Sequence, residues 1–130
     1  MHRHPYLTYR TLEAVKGMAE LSSWASFHHE RLDGNGYPFH LKAEDLSAGS
    51  RIMAVADVFT AITEDRPYRK GMQRRETAQT LEKMVKVKAL DGDTVSALMF
   101  HFDDINAVRM EARKTSTGQY RQLVGTQGRC

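Results

Sequence analysis

The sequence predicts an all-α fold, and three observations predict it. Apolar residues recur at three- and four-residue spacing through several long stretches, and no stretch alternates apolar and polar residues over the length of a strand. Glycine, proline, asparagine and aspartate gather between the periodic stretches, where turns are needed. With 130 residues and 41% hydrophobic content, the chain can bury one core, so one domain or part of one is expected.

The elements follow in order. Pro5 suits a first helical turn, and Leu7, Leu12 and Val15 give an imperfect stripe, so residues 5–16 read as helix up to Gly17. Met18, Leu21, Ala25 and His28 or His29 keep helical spacing over residues 18–29, which leaves two histidines near a helix end. Asp33-Gly34-Asn35-Gly36-Tyr37-Pro38 is rich in turn formers, so residues 30–46 form a loop. Ser47 and Ser50 are caps for a helix over residues 47–63, whose broad apolar face of Ile52, Val55, Ala56, Phe59 and Ile62 predicts burial. The segment from Asp65 to Gly71 breaks the pattern. Leu81, Met84, Val85 and Lys88 then mark a helix over residues 74–90, followed by a turn at 91–93. Asp93 can cap a last helix in which Val95, Leu98, Met99, Phe102 and Ile105 face inward, continuing to about Arg113. An ordered region of residues 1–114 and a disordered tail of residues 115–130, rich in Gly, Gln and Arg, are therefore expected.

Nineteen Lys and Arg against sixteen Asp and Glu give a net charge of +3, compatible with an anionic ligand. The basic excess comes with no recognition motif or interleaved aromatics, which argues against binding to a nucleic acid polymer. One cysteine, Cys130, excludes an internal disulfide framework and fits a reducing cytoplasm. The longest apolar stretch, residues 52–62, is too short to cross a bilayer, so no membrane contact is expected of this segment.

Asp57 lies between Val55, Ala56, Val58 and Phe59, and a carboxylate on a buried helix needs a cation partner or a metal. An ion pair with another helix, or a place on a slightly exposed edge of the helix, is the competing explanation. His28 and His29, adjacent at a helix end, could reach common metal ions, although adjacent histidines are more often surface residues. Together with His4 these residues offer nitrogen and oxygen ligands only, a set suited to iron, manganese or zinc at an open site.

His28-His29-Glu30-Arg31-Leu32-Asp33-Gly34-Asn35-Gly36-Tyr37-Pro38 resembles the signature of the HD-GYP family. The stretches Arg51 to Phe59 and Asp65 to Lys70 resemble the same family in the right order, so the resemblance covers residues 4 to about 100. It implies an HD-type helical bundle with a centre of two or three divalent metals, most often iron or manganese, that hydrolyses cyclic di-GMP to a linear dinucleotide or GMP in bacterial signalling. His4, His28, His29 and Asp57 fall on its ligand positions. Arg66 and Arg69 fall where the family holds the ligand's phosphates, a task that suits guanidinium groups, with Lys70 and Arg31 as weaker candidates. Gly36, Tyr37 and Pro38 form the loop that names the family. That loop could fold over the substrate, contact signalling partners such as diguanylate cyclases, or be a structural turn.

Two features depart from the pattern. The family's His-Asp pair, which lies upstream of the position matched by His4, is missing here, so the resemblance implies an N-terminally truncated domain. Thr60 stands where many members carry a second aspartate, and its hydroxyl can still hydrogen-bond near a metal ligand. Two functions follow as expectations: a metal-dependent cyclic di-GMP phosphodiesterase, or a catalytically incomplete module that binds cyclic di-GMP or a protein.

Overall fold

A computed structural model describes residues 3–126, and their regular structure is helical. The helices are α1 (His4–Glu13), α2 (Ala19–Ser26), α3 (Ala48–Thr63), α4 (Arg74–Lys86), α5 (Gly92–Phe100) and α6 (Phe102–Thr126), with a 3-10 turn at Ala43–Asp45. No strand forms among the described residues; isolated bridges pair Asp33 with Lys42 and Arg66 with Arg69. The all-α expectation holds. The chain divides into a first unit ending at Ala97 and a second beginning at Leu98.

Within the first unit α1 packs on α2, α2 on α3 and α3 on α4. Pro5 occupies the first turn of α1, where its missing N–H leaves no helical bond unmade. The predicted stripes of these two helices are only partly inward: Leu7 of α1, Val15 just beyond its end and Leu21 of α2 are about half exposed. Ser22 and Ser26 are buried instead, and the Ser22 hydroxyl reaches the Tyr9 carbonyl at 3.5 Å. Small side chains let the two helices approach closely, and a hydrophobic-pattern reading passes over them.

Helix α3 starts as expected, with Ser47 Oγ accepting the Ser50 N–H at 3.3 Å. It meets α2 at Gly49, where an added Cβ would lie 2.1 Å from the Trp24 ring, so this crossing requires glycine. The predicted burial of the whole helix is not observed. Val55 and Phe59 are inside at 1% and 2% exposure, whereas Ile52, Met53, Ala56, Asp57 and Thr60 are exposed. A 3.6-residue period turns Met53, Asp57 and Thr60 away from Val55 and Phe59, whereas Ile52 shares the stripe of Val55 and Phe59 and is exposed near the start of the helix; the apolar composition of α3 concealed the distinction.

Gln73 and Glu76 open α4, the Glu76 carboxylate accepting the Gln73 N–H at 3.2 Å. Leu81 and Thr77 point into the core with no measurable exposure. Asp91, not Asp93, caps α5: its Oδ2 accepts both the Thr94 N–H at 2.9 Å and the Thr94 hydroxyl at 2.7 Å. Asp93 already lies inside the first turn. Arg51 of α3 donates to Asp91 at 3.2 Å and to the carbonyls of Leu46 and Ala43, which ties the loop before α3 to the start of α5.

In the second unit Leu98 and Phe102 are buried. The single predicted last helix is two, α5 and α6, separated at His101. Helix α6 continues through Thr126, past Thr115, where the sequence predicts a disordered tail; residues 127–130 of that tail lie outside the described residues.

Candidate metal centre

The three predicted histidines come from two helix ends. His4 is the first residue of α1, while His28 and His29 follow the last turn of α2. Antiparallel pairing of the two helices sets the start of one beside the end of the other. One ligand nitrogen from each of His4, His28 and His29 lies within 4.8 Å of the other two. The ring centroids are 5.9 Å apart for His4 and His28, 5.2 Å for His4 and His29, and 4.0 Å for His28 and His29.

The tautomer of His28 is fixed by its surroundings. Its Nδ1 sits 3.0 Å from the Ala25 carbonyl, which can only accept, so Nδ1 carries a proton and the neutral ring has its lone pair on Nε2. That is how histidine ligands are oriented in metal sites, the far nitrogen tethered to the backbone and the near one free to coordinate. His29 is braced from the other side, its ring stacked on Tyr37 at 4.8 Å with an interplanar angle of 21°.

The loop from Glu30 to Leu46 supplies that brace. The Tyr37 N–H donates to the His29 carbonyl at 3.2 Å, and Gly36 is buried against the backbone of Glu30 and Arg31, where an added Cβ would lie 2.4 Å from the Arg31 nitrogen. Only glycine fits this approach. Pro38 is half-buried and follows Tyr37 through a cis peptide. Sequence reading missed Glu30, which is 3% exposed and accepts the N–H groups of Phe39 at 2.6 Å and Leu41 at 2.9 Å. Its only signal was its place in the motif.

Asp57 is outside the 4.8 Å set, and its exposure removes the burial argument that first singled it out. It shares with His28 a surface cavity of about 420 Å³, also lined by Ala25, Met53, Ala56 and Thr60. Asp57 and His28 therefore border the same opening. The donor set of three imidazoles, one with its proton pinned to a carbonyl, and a nearby carboxylate fits a divalent cation.

Arg66 and Arg69 exchange both main-chain hydrogen bonds, at 2.8 and 3.1 Å, and directly paired residues of this kind project their side chains to one side. Arg66 is exposed. Arg69 donates from Nη2 to the Ala61 carbonyl at 2.9 Å, so part of the guanidinium is engaged with the last turn of α3, next to Thr60 of the cavity. The weaker cation candidates have acidic partners: Arg31 makes a bidentate pair with Asp33, at 3.1 and 2.8 Å, and Lys70 meets Asp65 at 3.5 Å. Arg31, with the Asn35 N–H, holds the Asp33 carboxyl well below the usual carboxylate range.

An all-helical scaffold with clustered imidazoles at a loop-braced helix end defines a class of metal-binding helical domain. The family description "HD domain" matches residues 1–94, and this chain belongs to the HD-domain family, in its HD-GYP branch. It is 38% identical over 99 residues to 3'3'-cGAMP-specific phosphodiesterase 1 of Vibrio cholerae, covering 76% of this chain and 23% of that protein. A cyclic di-GMP phosphodiesterase of Pseudomonas aeruginosa is 52% identical over 54 residues, 42% of this chain and 13% of that protein. The cyclic di-GMP phosphodiesterase response regulator RpfG of Xanthomonas campestris is 40% identical over 73 residues, 55% and 19% of the two chains. The chain thus spans less than a quarter of the length of these relatives. Membership of the HD family implies a divalent-metal site, and none of the described helices is long and apolar enough to cross a membrane.

Proposed function

We propose that this chain forms part of a metal-dependent phosphodiesterase that hydrolyses cyclic di-GMP in the bacterial cytoplasm. The single observation that carries the reading is the convergence of His4, His28 and His29 within 4.8 Å, with the His28 proton held on Nδ1 by Ala25. His4, His28, His29 and Asp57 would hold divalent ions, iron or manganese, which when bound supply an activated water and neutralise phosphate charge.

The chain's own residues do the remaining work. The Ala25 carbonyl orients the His28 ring through Nδ1 and leaves Nε2 as its coordinating atom, and Tyr37 limits rotation of the His29 ring. Arg66 and Arg69 present guanidinium groups to the substrate's phosphates, and the donors of Arg69 not engaged by Ala61 remain for that purpose. Gly36, Tyr37 and Pro38 form the wall that carries the brace. The exposed residues beyond it, Phe39 and His40, form the face that a partner domain such as a diguanylate cyclase would meet.

A second substrate is favoured by the likeness to the Vibrio cholerae protein, which is named for 3'3'-cGAMP; the two cyclic dinucleotides share a ring closed by two phosphodiesters and differ in one base. Turnover of both by the protein that contains this chain, loaded with Mn²⁺, decides between them. In that protein His28→Ala is expected to lower turnover by at least about 100-fold, beyond the loss typical of residues that only orient a ligand. Near-normal rates would refute the metal assignment. Saturable binding of cyclic di-GMP without hydrolysis would identify a receptor instead.

A further inference from the structure

Among the described residues Glu30 is the only buried charged side chain. A carboxylate taken from water persists where its oxygens are hydrogen-bonded, and both of these are: Oε1 by the Phe39 N–H and Oε2 by the Leu41 N–H. The two bonds close the loop into a ring that encloses Gly36, Tyr37 and Pro38. On one side of the ring, Gly36 rests on the Glu30 backbone, and Tyr37 stacks on the His29 imidazole. On the other side, Phe39 sets its ring against Tyr9 of α1 at 5.2 Å, Tyr6 of α1 at 6.2 Å and Phe27 at 5.6 Å. Helix α1 carries His4 at its first position.

We propose that Glu30 is a positioning residue for the histidine cluster: its carboxylate locks the loop so that Tyr37 fixes the His29 ring while Phe39 holds the helix bearing His4. Glu30 is not itself a ligand, because both oxygens are committed to the main chain. The consequence for metal affinity rests on the metal reading above; the orientation of His29 does not.

The test uses the protein that contains this chain and two readouts: the His29 ring-proton NMR shifts without metal, with His29 labelled selectively, and Mn²⁺ affinity by calorimetry. Glu30→Gln sets an amide N–H against one of the two backbone donors and so breaks one arm of the clamp. With helical circular dichroism retained, the His29 signals should move toward those of an unstacked imidazole, and Mn²⁺ affinity should fall about tenfold or more. In a cycle with Tyr37→Ala the losses should be non-additive, since both substitutions act on the same ring. Unchanged His29 shifts, or fully additive losses, would overturn the proposal. Should Glu30→Gln lose its helical signal, Glu30→Asp keeps the charge but cannot span both amides, and the same shifts are read there. Failure of the wild-type protein that contains this chain to take up Mn²⁺ refutes the metal reading, while the metal-free shifts still decide the role of Glu30.

Discussion

Gly36 and Glu30 illustrate how closely single residues are specified around the cluster. A methyl group at position 36 would meet the Arg31 nitrogen, the Glu30 Cα and the Glu30 carbonyl carbon between 2.4 and 2.6 Å, all backbone atoms that cannot rotate away. Gly36→Ala is therefore expected to cost about 1–3 kcal/mol, the usual range for overpacking, read as a lower urea midpoint with unchanged slope. Asp91 is specified by its bonds. The Thr94 hydroxyl, then the Thr94 N–H and the Arg51 guanidinium, hold its carboxyl below the ordinary 3.8 against the opposing effect of burial. A carboxyl depressed on folding contributes stability that is complete above its unfolded value and is lost as pH falls through the folded one. Asp91→Ala should thus cost about 1–2 kcal/mol at pH 7, as loss of a cap does. The gap to wild type should narrow as pH falls below the ordinary 3.8; a gap that stays constant on acidification would show that the charge contributes nothing.

At the scale of elements, α3 holds apolar residues of two energetic kinds. Phe59 and Val55 are enclosed, so Phe59→Ala should cost about 3–5 kcal/mol. Ile52 is 54% exposed, and Ile52→Ala should change stability by less than about 1 kcal/mol. Equal losses in chemical denaturation would mean that Ile52 is covered in solution. The sequence made α3 legible because its cap and its period agree with the fold. It left the inward face ambiguous because the apolar residues span more than one stripe. The reverse holds for α2, where the inward residues are serines and no hydropathy argument could have selected them.

For the whole molecule, the second unit carries few of the buried residues. From Glu111 to Arg121 every described side chain of α6 is exposed. Removing residues 115–130 should therefore leave the thermal midpoint within about 3 °C, the shift expected for roughly 0.5 kcal/mol in a domain of this size. A larger drop would show that the end of α6 is packed against something in solution. Local pattern could not anticipate a helix there, since Gly118 and the polar residues around it resemble a tail.

By itself the sequence determined the helical class, the capped start of α3, and the inventory of imidazoles, carboxylate and glycines, because spacing and residue chemistry are local properties. Only the tertiary structure decided which of these meet. His4 lies more than twenty positions from His28, and antiparallel packing of α1 on α2 is what unites them. Asp57 stands on the open face of α3 because the core claims Val55 and Phe59, and Glu30 is inward because its loop folds back over it. Those outcomes depend on competition among distant side chains for a limited interior, which no window of sequence contains.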